Sequence, residues 1–347
     1  MNTFMNSKNT TENEKENVKM NTNIYSEIEE IINNADLTEE ESSQLKLALI
    51  RLKGEKLNIL ITGATGCGKS STINAMFGEA VAKVGVGVDP ETMEIQKYSL
   101  GNMTLWDSPG LGDGKEADNR HAKNIIRKLA ETDKDGNALI DIVLVILDGG
   151  TRDYGTSFEL INNVIIPNLG KDRNKRILIA INQADMAMKG NNWDKVNNRP
   201  NEELIEFLNM KAESVKRRIF EETGVEVEPI YYSAGYTNGE DKQNPYNLSK
   251  LYSYILKMTP KEKRLAYTDN INKDANVWKD NDDLKDYSQE IQNSFLETLS
   301  EFAGYGGEIG AEIGRHLGPI GKVAGRVVGT VVGGVAGVVV SIFRSLF

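Results

Sequence analysis

The run Gly63-Ala64-Thr65-Gly66-Cys67-Gly68-Lys69-Ser70 fits the pattern G-x-x-x-x-G-K-[ST] at every fixed position. It directly follows the apolar stretch Leu57–Thr62 and precedes Ser71–Phe77, a plausible helix. This strand–loop–helix pattern constrains the fold more than any other feature of the chain. Glycines let the main chain turn tightly enough to aim N–H groups at phosphate oxygens, and the following helix adds the positive end of its dipole. In such a loop Lys69 bridges β- and γ-phosphates and the Ser70 hydroxyl coordinates Mg²⁺. Gly63 to Ser70, with Ser71, are therefore the candidate phosphate-binding residues. Cys67 inside the loop has two readings. It either fills a variable position, or carries a thiol acidified by the helix N-terminus and shielded by bound nucleotide.

Beyond the loop, short apolar runs alternate with amphipathic stretches. The runs Leu57–Thr62, Met103–Asp107, Ile142–Asp148, Ile177–Asn182 and Glu228–Ser233 are too short for helices and lack the alternation of a half-exposed sheet. That is how buried parallel strands read. Helix-like segments lie near Ser70–Phe77, Ala117–Ala130, Gly155–Ile166, Glu202–Thr223 and Leu248–Leu256. Glu94–Leu100 and Asn102–Asp107 flank Gly101-Asn102, a tight hairpin turn. The expected fold is α/β: a P-loop NTPase domain on a mostly parallel six-stranded sheet with one antiparallel edge strand.

Three further signals fall at carboxyl ends of strands, where α/β sheets bind ligands, and a fourth lies in a loop. Asp107, in Trp106-Asp107-Ser108-Pro109-Gly110, suits a carboxylate that holds Mg²⁺ through water, and Gly110 offers an N–H to the γ-phosphate. Thr92 lies in a loop before the edge strand and is the candidate switch threonine that closes on Mg²⁺ when the γ-phosphate is present. Asn182-Gln183-Ala184-Asp185 ends a strand. A carboxylate there accepts both the N1–H and the exocyclic amine of guanine, a donor pair adenine lacks. Ser233-Ala234 ends the last strand, where a backbone N–H would meet guanine O6.

Across Leu57 to Met258 these residues resemble the G1 to G5 motifs of TRAFAC-class GTPases, especially Era-like bacterial GTPases of prophages and genomic islands. The phosphate loop and the run Ser71-Thr72-Ile73-Asn74-Ala75-Met76-Phe77-Gly78 are also similar to septin-, Toc- and immunity-related GTPases. The resemblance implies binding of GTP and GDP and Mg²⁺-dependent hydrolysis. Lys69, Thr92 and Gly110 would serve catalysis, Ser70, Thr92 and Asp107 the metal. Three departures bear on it. Gln183 replaces the usual lysine and should pack less well over the base. Leu111 stands where Ras-like enzymes place a water-orienting glutamine, so intrinsic hydrolysis should be slow. Gly66 replaces the loop asparagine of potassium-activated relatives, so no potassium dependence is expected. Arg152 has two readings: a solvated loop residue, or an arginine offered to a dimer partner across the nucleotide face.

The flanks differ in character. Residues 1–22 are polar and expected to be disordered, and 23–56 carry Ile24, Ile28, Ile31, Ile32, Leu45, Leu49 and Leu52 at helical spacing, read as two helices on the 57–258 domain. Residues 259–300 read as a helical linker that packs only partly, with Trp278, Leu284, Tyr287, Ile291 and Phe295 in a helical row. In 301–347 glycine recurs at 306, 310, 314 and 318, then at 321, 325, 329, 333 and 337, one face of a helix that would let another approach closely. The uncharged run Val327 to Phe343 would span roughly 25 Å as a helix, slightly short of a bilayer core. Membrane contact or self-assembly, packing on the chain's own domain or in a helical hairpin, and disorder are the readings of this tail.

A net charge of −10 argues against nucleic-acid binding by bulk electrostatics. DNA is not an expected partner. Ribosomal RNA is less favoured than the family suggests, since the tail lacks the basic Gly-x-x-Gly loop of an RNA-binding domain. With one cysteine, neither an intramolecular disulfide nor a cysteine metal cage is expected. The polar N-terminus lacks a signal's apolar core, so the expected location is the cytoplasm, with peripheral contact at the inner membrane if the tail binds lipid.

Overall fold

The computed structural model of the chain describes residues 24–34, 38–78, 81, 94–112, 114–238, 241–268 and 270–304. Six strands form one sheet: β1 (Leu57–Gly63), β2 (Gln96–Leu100), β3 (Met103–Asp107), β4 (Ile142–Asp148), β5 (Ile177–Asn182) and β6 (Ile230–Tyr231). Their order is β2-β3-β1-β4-β5-β6. Only β2 is antiparallel, with Lys97 opposite Trp106 and Ser99 opposite Thr104. Gly101 turns this hairpin with φ 55, a left-handed value that glycine adopts without strain.

The strands are apolar throughout because both faces are covered. Leu57, Ile59 and Ile61 of β1, Leu144 and Ile146 of β4, and Leu178 and Ala180 of β5 enter one core. Leu60, Val143, Val145, Leu147, Ile177, Ile179 and Ile181 enter the other. The two-residue period of a strand thus feeds two cores at once.

Eight helices accompany the sheet among the described residues: α1 (Ile24–Asn34), α2 (Glu39–Gly54), α3 (Lys69–Phe77), α4 (Lys115–Leu129), α5 (Gly155–Glu159), α6 (Glu202–Thr223), α7 (Leu248–Met258) and α8 (Tyr287–Gly304). The first core takes residues of α1, α2, α3, α7 and α8, and the second those of α4, α5 and α6. α6 is bounded by chemistry the sequence carries. The Asn201 side chain accepts from Leu204 N–H at 3.0 Å, and Gly224 closes the helix in the left-handed region at φ 66.

Three expectations needed revision. Gly155–Ile166 is not one α-helix. After α5 the chain widens into a π-helical turn, Leu160–Ile165, and ends in the 3-10 turn Ile166–Asn168. Pro167 is the physical reason: it has no N–H, and its ring would clash with the carbonyl four residues back. The last strand is shorter than Glu228–Ser233. Ser233 leaves the sheet to exchange hydrogen bonds with Tyr246 at 3.0 and 2.9 Å.

The third revision concerns 259–300, which is well packed. Leu265, Ala266, Tyr267, Ile271, Trp278 and Ile291 are buried in the first core. Polar residues that made the segment look solvated find partners within the fold. Lys250 pairs with Asp282 at 2.6 Å and Lys257 with Glu290 at 2.7 Å. The buried Arg264 guanidinium reaches Glu297 at 2.8 Å, Ser294 O at 3.1 Å and Thr259 O at 3.2 Å. Asn272 closes the far end of α3, donating from its main chain to Met76 O at 2.8 Å and from its side chain to Ala75 O at 2.9 Å. Leu284, counted in the helical row, is 74% exposed. Residues 1–22 and the glycine row of 305–347 lie outside the described residues. Among those described, no helix is long and apolar enough to cross a membrane.

Candidate nucleotide site

The phosphate loop runs from the end of β1 into the start of α3, as the strand–loop–helix pattern requires. Gly68 is the helix N-cap at φ 89, ψ 31, and a Cβ there would collide with the Asn182 amide nitrogen. Lys69 folds back over the loop, its ammonium 3.2 Å from both Gly63 O and Ala64 O. These are neutral acceptors that an incoming phosphate can replace with a charged one. Ser70 and Ser71 are exposed at the first turn of α3.

The Asp107–Leu111 segment lies directly against this loop. Thr65 N–H donates to Leu111 O at 2.9 Å, and Leu111 N–H to Gly63 O at 3.3 Å. A Cβ on Gly110 would come within 2.7 Å of Thr65 main-chain atoms, so close approach alone demands glycine there. Leu111 is buried in the second core, which fits a packing role and offers no group to orient water.

Asp107 ends β3 with Oδ1 buried and without a hydrogen-bond partner. Burial raises its carboxyl pKa to about 6, against the pull of Lys69. A buried carboxylate oxygen lacking a donor suits a hydrated divalent cation, which the exposed Ser70 hydroxyl would join from α3. Among the described residues no three His, Cys, Asp or Glu side chains cluster to cage a metal. Mg²⁺ would therefore share its ligands with nucleotide phosphates. Thr92, the candidate switch threonine, lies outside the described residues.

The candidate base-binding residues meet the phosphate loop from the other side. Asn182 is buried; its amide donates to Cys67 O at 2.9 Å and its Oδ1 accepts from Ala234 N–H at 2.9 Å. Since a peptide's C=O and N–H point opposite ways, holding Cys67 O on the Asn182 side turns Gly68 N–H the other way. Gln183, left-handed at φ 58, donates to Gly66 O at 2.8 Å, so it braces the loop without a lysine's charge. Asp185 follows at 9% exposure.

In this structure the Ser233 N–H donates to Tyr246 O and the Ala234 N–H to Asn182 Oδ1. The next donor, Gly235, makes only a long 3.3 Å bond to Ser233 Oγ and turns at φ 69. The Cys67 thiol, in turn, is fully buried. Burial raises its pKa more than the Lys69 charge lowers it, which excludes the acidified-thiol reading for this state.

Arg152 is exposed on the loop after β4. That loop is braced by two residues the sequence reading missed. The Lys211 ammonium donates to Gly149 O at 2.7 Å and also to Thr151 O, and the Tyr154 hydroxyl donates to Asp148 O at 2.7 Å.

Residues 58–183 match the family model described as 50S ribosome-binding GTPase. Together with the sheet order and loop geometry, this match is consistent with the fold of a P-loop NTPase G domain. Interferon-inducible GTPase 1 of Mus musculus is 39% identical over 79 residues, covering 20% of this chain and 19% of that protein. Translocase of chloroplast 125 of Physcomitrium patens is 38% identical over 101 residues, 28% of this chain and 9% of the other. The chain thus spans a quarter or less of these curated relatives' length. Among solved structures, the probable GTP-binding protein engB is similar at 20% identity and a TM-score of 0.37, over 58% of this chain and 97% of that one. Toc33 of Arabidopsis thaliana with Mg²⁺ and GMPPNP is similar at 17% identity and a TM-score of 0.39, over 60% and 83%.

Proposed function

We propose that the chain binds GTP in preference to ATP and hydrolyses it slowly to GDP and phosphate with Mg²⁺, acting as a nucleotide-dependent switch. The observation that carries this reading is Asn182, one buried side chain that joins the phosphate loop at Cys67 O to the base loop at Ala234 N–H, three residues before Asp185. In this reading Asp185 takes the guanine N1–H and amine, and Lys69 leaves its loop carbonyls for the β- and γ-phosphates. Ser70 and Asp107 would hold Mg²⁺, which when bound would supply positive charge beside the phosphates. Buried Leu111 leaves the attacking water without a side-chain partner at that position, which favours slow turnover. The exposed Arg152 on its braced loop would supply charge to a second copy meeting this face.

The test is GTP turnover with GTP and ATP binding on the full chain, beside Lys69→Ala and Asp185→Asn. Turnover should fall at least about tenfold in Lys69→Ala. The GTP-over-ATP preference should fall by at least about tenfold in Asp185→Asn. Equal affinity for ATP in the parent protein, or undiminished turnover without Lys69, would sink the proposal.

A second reading, a ribosome-associated Era-like GTP-binding module with little hydrolysis, is favoured by the description of the matching family model. The tail favours membrane contact or self-assembly instead. Co-sedimentation separates them: ribosomes should leave the GTP-loaded protein in the supernatant, and anionic vesicles should pellet it only when residues 302–347 are present. Pelleting with ribosomes regardless of the tail would reverse the preference.

A further inference from the structure

Asn182 and Gln183 take two successive loop carbonyls, Cys67 O and Gly66 O, from the base side. The next carbonyl, Gly68 O, takes the Thr72 main-chain N–H at 2.9 Å as the first helical bond of α3 and the Thr72 hydroxyl besides. Thr72 Oγ1 donates to Gly68 O at 2.8 Å and lies 2.6 Å from the Tyr232 hydroxyl. The threonine proton is committed to a carbonyl that can only accept. The phenol must therefore be the donor in the shorter bond, giving a chain from Tyr232 through Thr72 to Gly68 O.

Tyr232 is fully buried, and its main chain is bonded on both sides of the guanine motif. Its N–H donates to Ile181 O at 2.8 Å, and its carbonyl accepts from Ala184 N–H at 3.1 Å. Ser233 and Ala234 follow it directly in the chain. One residue thus touches the strand end bearing Asn182, the turn bearing Asp185, the base loop and, through Thr72, the phosphate loop.

We propose that Tyr232 and Thr72 are positioning residues that lock the phosphate loop in register with the guanine loop, so that base and phosphates are bound as one unit. This rests on the guanine-nucleotide reading above and adds the residues that couple its two halves. Neither side chain touches nucleotide in this scheme. Gly68 O keeps its bond from the Thr72 N–H, so their loss acts through the 2.6 Å tie between the first turn of α3 and Tyr232, next to the guanine loop. Threonine suits the relay because its hydroxyl both donates and accepts while its methyl fills the buried position.

The test uses the full-length protein with Tyr232→Phe, Thr72→Val, the double variant and Thr72→Ser. Readouts are GDP, GTP and ATP affinities by fluorescent-nucleotide titration, and nucleotide-free stability by urea unfolding. Each single hydroxyl deletion should weaken GDP and GTP binding about tenfold. The double variant should be no weaker than the worse single, and Thr72→Ser should stay within about twofold of the parent, because the relay oxygen is kept. A hydroxyl that serves only folding would lower urea stability and leave affinity unchanged under conditions where every variant is folded. That result, or losses that multiply in the double variant, overturns the inference while GTP selectivity in the parent keeps the guanine reading intact. A parent that binds ATP as tightly as GTP sinks the guanine reading instead. The coupling is then judged on whether ATP affinity falls in the variants.

Discussion

Asp107→Asn is expected to stabilise the nucleotide-free protein at pH 8 by on the order of 3 kcal/mol, while lowering Mg²⁺-dependent GTP turnover at least about a hundredfold. The two effects share a cause. The carboxyl is held with one oxygen buried and unpaired, and its pKa rises from 3.8 in the unfolded chain to about 6 in the fold. The folded state therefore binds the proton more tightly than the unfolded one. Stability contributed by the protonated form is fully present below about pH 4 and is lost as pH rises through about 6. Asparagine cannot ionise, so it avoids that loss, and it supplies no negative charge to a cation. Urea unfolding of parent and variant in EDTA, at pH 4.5 and pH 8, checks the first half. A stability difference independent of pH would refute it. Turnover against Mg²⁺ concentration checks the second.

Gly68→Ala is expected to weaken nucleotide binding by roughly a hundred- to a thousandfold. At φ 89 an alanine is strained by about 1–2 kcal/mol, and its Cβ would displace the Asn182 amide. Asn182 then loses its bonds to Cys67 O and Ala234 N–H, each leaving a buried polar group unsatisfied at about 1–3 kcal/mol. Those costs together reach about 3–8 kcal/mol, and about 3–4 kcal/mol of that falling on the bound state is a hundred- to a thousandfold at 1.4 kcal/mol per tenfold. Gly66→Ala is the control. It carries similar strain at φ 78, but a Cβ there meets nothing within 4 Å. Titration with labelled GDP should rank Gly68→Ala far below Gly66→Ala. Equal losses would mean that backbone strain, not Asn182, governs the site.

What the sequence disclosed follows from how strongly each residue is constrained. Ile142–Asp148 and Ile177–Asn182 were legible to the residue because both faces of a central parallel strand are buried, leaving no polar position to blur the ends. The phosphate loop was legible because glycines at 63 and 68 answer to backbone geometry that few residues tolerate. The contacts across the site were not. That Ala234 N–H is taken by Asn182 depends on residues 52 apart in sequence. That the Cys67 side chain turns inward rather than toward phosphate is likewise a matter of packing, which a motif does not encode. The segment after Met258 was misjudged for a related reason. Lys250, Lys257 and Arg264 look like solvent-facing charge until Asp282, Glu290 and Glu297 are brought to them.

That same segment turns α3 into a rod fastened at both ends. At its start are Lys69 and the phosphate loop; at its finish Asn272 grips Ala75 O and Met76 O. α8 is bolted to the 259–267 turn by Arg264 and by the Thr298 hydroxyl on Lys261 O, so a load on α8 is carried into that turn. From there it travels along the backbone to Asn272 and the far end of the rod. A shift of α8 itself would thus bear on the helix that carries the phosphate grip.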